Sequence, residues 1–252
     1  MKRQVDTGTD TVQGGSVGDA VPPERRARGV KWWVRNNSLP LVLLIVLFLA
    51  FSLPPYLGLD PGQSRLALND DFPLGLHYPV LVLHIAFGTI ALLCLAVQSS
   101  RAVRARNLKI HRISGRLYVW AGVVPSALLA LTFLPYAVIR AGILGSTVAG
   151  VLWLVTTMVG QKMARERRFT EHRRWMLYSA AFALQLVWGR IFNILDAVLG
   201  LGIDPLMLAE AGGWLGWIIN ILAVQWWLSR KPGPVRVPAQ RKIQDDRSRE
   251  RA

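Results

Sequence analysis

The sequence predicts an all-α protein that crosses a membrane six times, and three observations carry that reading. Six apolar segments approach the ~20 residues that a helix needs to cross the hydrocarbon layer. The chain is 52% hydrophobic and only 18% charged, against roughly 25% charge in a soluble domain. Its basic residues crowd into alternate loops, which assigns a direction to every segment. The hydrophobic content excludes disorder as the main state, and the single Cys94 excludes a disulfide scaffold.

Residues 1–30 are rich in Thr, Gly, Asp, Pro and Arg without apolar periodicity, and read as a disordered cytoplasmic tail. The first apolar segment, 39–57, follows a charged lead of 38 residues and ends at Pro54-Pro55 without a small-residue cleavage site. It is therefore expected to be a retained helix and not a signal peptide. The next segments are 78–98, 113–134, 142–160, 175–199 and 212–228, and residues 205–208 either extend the last or form a re-entrant stub. Pro125, inside the third segment, predicts a kink. Trp32, Trp33, Trp214, Trp217, Trp226 and Trp227 gather near predicted helix ends, as an interfacial belt does. The chain thus divides into tail 1–30, membrane domain 31–230 with a core at 78–199, and basic tail 231–252.

Of 30 Lys and Arg residues, 27 fall on one side: seven in 1–38, six in 99–116, six in 161–174 and eight in 229–252. The opposite loops hold only Arg65 and Arg140, with Asp60, Asp70, Asp71, Asp204 and Glu210. Both termini are expected in the cytoplasm. The net charge of +15 is then a topology device. No basic loop is long enough for a nucleic-acid-binding domain, which excludes that class. Expected partners are the bilayer and anionic lipid head groups, with a second copy or another membrane subunit beside them.

The centre of the chain reads as a tandem helical-hairpin repeat. Gly88, His111-Arg112 and Tyr118 recur as Gly150, His172-Arg173 and Tyr178. Gly-to-His separations are 23 and 22 residues, and His-to-Tyr separations seven and six. Helices two to five would then form a four-helix core about a pseudo-two-fold axis, with the first and sixth peripheral. His111 and His172 would face each other at the inner ends of equivalent helices.

Two polar sites are expected. The inner one gathers His111, Arg112, Arg116, His172 and Arg173, a set suited to an anion: a lipid phosphate, a carboxylate or a haem propionate. The outer one gathers His84, Arg190, Asn193 and Asp196. An arginine inside a spanning helix costs about 2.5–3.5 kcal/mol on insertion scales, so Arg190 demands a reason. It lies 18 residues, or five turns, from His172, on a stripe that runs through Met176, Ser179, Ala183 and Leu186 to Asn193. Such a stripe predicts an inward face.

The run His111-Arg112-Ile113-Ser114-Gly115-Arg116-Leu117-Tyr118, with His172-Arg173-Arg174-Trp175-Met176, His84 before Gly88 and the later Arg190, resembles a bacterial multi-pass family, domain of unknown function 2306. The resemblance covers residues 78–195 and implies a helical membrane architecture without a known reaction. Tyr178 departs from it, standing where the family pattern has Arg, two residues after Met176. That departure counts against a strongly anionic ligand at the inner site.

Three functions compete. A redox protein would hold haem b or a quinone, with His111 and His172 as axial ligands and arginines at the propionates. A second bis-imidazole haem is excluded, because His84 has no partner histidine in the second repeat, where Ser146 takes the corresponding place. A transport or binding protein would hold a small anionic solute or lipid head group, and a structural subunit would use the same polar residues to lock helices. No G-x-S-x-G, H-E-x-x-H, C-x-x-C or P-loop occurs, so no enzyme class is assigned.

Overall fold

The computed structural model describes residues 38–230; the expected tails 1–30 and 231–252, with Trp32 and Trp33, lie outside the described residues. In chain order stand α1 (Leu39–Ser52), α2 (His77–Ser99), α3 (Leu108–Tyr136), α4 (Ile143–Arg165), α5 (Phe169–Leu199) and α6 (Pro205–Ser229). No strand occurs among the described residues. Helices α2 to α6 are each long and apolar enough to cross a membrane. Helix α1 has 14 residues, or ~21 Å against a hydrocarbon core of ~30 Å. Pro54 and Pro55 lack the N–H that would continue its ladder, and only a short helical turn, Pro54–Leu57, follows.

Three helices, α3, α5 and α6, begin well before their apolar runs, and side-chain caps set the starts of α3 and α6. Asn107 accepts the Ile110 N–H at 3.1 Å and starts α3. Asp204 accepts the Leu206 N–H at 2.8 Å, and Pro205 takes the first helical position of α6. Residues 205–208 are therefore the first turn of α6 and not a separate stub.

Large apolar side chains line the outside of the helices. Leu47 is 59% exposed, Leu144 66%, Val198 75% and Leu222 63%, a surface that hydrocarbon accepts and water does not. Inside, Ile45, Leu49, Ala91, Leu95, Tyr118, Val119, Val123 and Ala183 form one buried cluster. Tyr56, Phe72, Leu81 and Phe133 form a second near the loops that precede α2.

The sixth helix is not peripheral. It packs on α4 and on both halves of α5, through small residues that let backbones meet. A Cβ on Gly213 would fall 2.5 Å from the Gly142 carbonyl oxygen, and one on Gly145 2.6 Å from that of Gly213. No rotamer relieves a clash with backbone. Gly213→Val should therefore cost about 1–3 kcal/mol by overpacking, read as a lowered thermal midpoint in detergent micelles. An unchanged midpoint would show that α4 and α6 do not approach this closely.

Candidate functional site

Pro125 acts on α3 one turn before its own position. Its ring displaces the usual carbonyl partner, and residues Tyr118–Val123 adopt π-helical geometry, with the Val124 N–H reaching Val119 O. The expected kink is thus a π segment that turns Tyr118, Val119 and Val123 inward, each at most 1% exposed. Tyr118 meets α4 and α5 there. Its hydroxyl lies 2.7 Å from Ser179 Oγ, which lies 2.6 Å from Thr157 Oγ1. Thr157 donates to the Trp153 carbonyl at 2.7 Å, and Trp153 Nε1 donates to Tyr118 Oη at 3.4 Å.

One proton assignment satisfies all four groups. Thr157 spends its hydrogen on Trp153 O, so Ser179 donates to Thr157 and Tyr118 donates to Ser179. The chain of bonds begins and ends on Trp153 and ties three helices. Thr157 and Ser179 are fully buried. Sequence reasoning placed Ser179 on the inward stripe but did not single out Trp153 or Thr157, whose residue types fit an ordinary packed helix.

Toward the basic face, His111 and His172 make separate contacts, and no hydrogen bond or ring contact joins them among the described residues. His172 Nδ1 donates to the Gly160 carbonyl at 2.8 Å, leaving Nε2 free of that bond. His111 Nδ1 is buried without a partner. The arginines part company with them: Arg112 and Arg116 are exposed and make no bond among the described residues, and Arg173 lies 5.4 Å over the Trp227 ring. Tyr178 bonds Gln225 of α6 and takes a 3.3 Å bond from Arg174. The residue seven places after His172, as Tyr118 is seven after His111, is Ser179. Those two residues meet, whereas Tyr178 faces away. A haem or quinone between the imidazoles would need a slot between α3 and α5. The Tyr118–Ser179 bond, ~10 Å further along both helices, draws them together at that depth, and no observed feature of the imidazoles supports such a group.

The outer set is dispersed. His84 Nδ1 bonds the Ser126 carbonyl at 2.8 Å, with its ring edge-on to Phe133, so it is seated against α3. Asn193 donates to Gly189 O of its own helix, and Asp196 accepts the Ile203 N–H at 2.9 Å. Arg190 is half-buried, has no hydrogen bond or ion pair among the described residues, and senses Arg65 and Tyr56 electrostatically.

A break in α5 at Leu184 explains the dispersal. The expected stripe is inward through Ser179 and Ala183, but past the break Leu186 is 51% exposed and Val187 8%. Asn220 of α6 spans the interruption: it donates to Ala181 O at 2.9 Å and accepts from Trp188 Nε1 at 2.9 Å. No helix breaker marks the spot. Leu184 lies twelve residues past His172, and the π segment ends twelve residues past His111. Both α3 and α5 thus depart from a regular α-helix within their spans, although only Pro125 announces this in the sequence.

Spanning helices closed around a buried hydroxyl network define a polytopic membrane protein. Residues 81–228 match the family model described as Predicted membrane protein (DUF2306), and the chain belongs to that family. The match runs through α6, beyond the 78–195 that the motifs suggest. No curated protein and no solved structure matches.

The network should behave as one unit. Tyr118→Phe and Thr157→Val should each cost about 0.5–2 kcal/mol, and together less than their sum, in denaturation from mixed micelles. Additivity within about 0.3 kcal/mol would mean that the two hydroxyls are independent.

Proposed function

We propose that this chain is a six-span protein of a bacterial inner membrane, both termini cytoplasmic, that binds a small anionic or polar solute in its core and passes it across without covalent chemistry. The observation that carries this reading is the pair of interruptions, in α3 and α5, at matching distances from His111 and His172. Discontinuous helices free backbone groups near the midplane, where transporters place their substrates. The interior between these helices carries hydroxyls and an indole N–H that bond one another at rest, and a solute would be held by exchanging those bonds for its own. Every described carboxylate sits in a loop or within about two turns of a helix end. That balance favours an anion or neutral solute over a cation. Helix α1, continued by Leu53 and Pro54–Leu57, supplies the sixth span, and the charge asymmetry of the loops supplies the orientation.

Cys94 is the single cysteine, so accessibility can be read from one introduced thiol. Ser179 is fully buried at rest, so its modification reports the opening that solute passage requires. In a Cys94→Ala background, Ser179→Cys in intact membranes should react slowly, yet about tenfold faster with anionic methanethiosulfonate ethylsulfonate than with its trimethylammonium analogue. A thiol inert to both reagents, or faster with the cation, would contradict the proposal.

A further inference from the structure

At the basic face, α2 and the first turns of α3 border a shallow apolar cleft that is open along most of its surface. Its volume is about 290 Å³, and its walls are Leu93, Cys94 and Val97 on one side and Ile110, Ile113 and Leu117 on the other. Leu93, Ile110, Ile113 and Leu117 remain 46–50% exposed, so the chain itself does not fill it. Ser114 also borders the cleft, but its hydroxyl is spent on the Ile110 carbonyl and on Gln98. The lining is thus hydrocarbon in character.

Lys109, Arg112 and Arg116 follow at i, i+3 and i+7, a single row on the adjoining flank of the same helix. All three are exposed, and none has a hydrogen bond, ion pair or ring partner among the described residues. The acidic residues described on this face are occupied elsewhere: Glu171 by Arg168, and Glu166 by Arg168 and Lys162. Three cations beside an unfilled apolar cleft match a molecule that is anionic at one end and aliphatic at the other. The cleft lies toward the basic-face end of α2, one to two turns from Ser99, where a chain descending from the head-group level enters the hydrocarbon.

We infer that this is a binding site for an anionic phospholipid, its phosphate held by Lys109, Arg112 and Arg116 and one acyl chain seated between α2 and α3. The site stands independently of the solute pathway proposed above. Three cations in a row attract an anionic head group, so the row discriminates between lipid charges.

The test is native mass spectrometry of the full chain in micelles, titrated with dioleoyl phosphatidylglycerol or dioleoyl phosphatidylcholine. The glycerol lipid should bind at least roughly tenfold more tightly. Arg112→Gln with Arg116→Gln should erase that preference at an unchanged melting temperature, because both side chains are exposed and unbonded. Leu93→Trp, which fills the cleft, should weaken binding of both lipids several-fold while leaving the charge row intact. Undiminished phosphatidylglycerol binding in the double Gln variant would overturn the site. Displacement of the lipid by millimolar inorganic phosphate would overturn it as well, by showing a free-anion site with no part for the chain.

Discussion

Hydrocarbon offers no hydrogen bonds, and that constraint governs the interior of this protein. A hydroxyl placed there must find its partner inside the chain, or the helix that carries it is destabilised. Tyr118, Ser179 and Thr157 resolve this by bonding in a directed chain that closes on Trp153. Three helices must hold their rotation and depth for the chain to close, so the network fixes the register of α3, α4 and α5. The π segment before Pro125 is what brings Tyr118 to that point.

The break in α5 obeys the same rule with different parts. Interrupting the ladder at Leu184 leaves the Ala181 carbonyl without its usual donor, and Asn220 supplies one from α6. That bond needs α6 close by. Gly216 permits it, since a Cβ there would fall 2.9 Å from the Gln185 carbonyl oxygen. The glycines of α6 are therefore coupled to the conformation of α5.

Much of this architecture is legible in the residues. Apolar length and Pro125 announce the spanning helices and an irregular α3. Other features leave no local mark. The break at Ala183-Leu184-Gln185 contains good helix formers and is imposed by a neighbouring helix. Because that break rotates α5, extrapolating one stripe from His172 to Asn193 turns the outer residues the wrong way. Matching Tyr178 to Tyr118 by residue type likewise misses that Ser179 holds the equivalent place. Identity favoured one tyrosine over another, whereas helical offset favoured the serine. Caps at Asn107 and Asp204, which hydropathy ignores, set the true helix starts.

The contact between Thr157 and Ser179 is where this account is most exposed. Their oxygens are 2.6 Å apart, so paired thiols at these positions would lie near disulfide geometry. In a Cys94→Ala background, Thr157→Cys with Ser179→Cys should form an intramolecular disulfide on mild oxidation in native membranes. Thr157→Cys with Tyr178→Cys should not. A crosslink through position 178 and none through 179 would mean that α5 is turned by one residue, and the closed network would not exist.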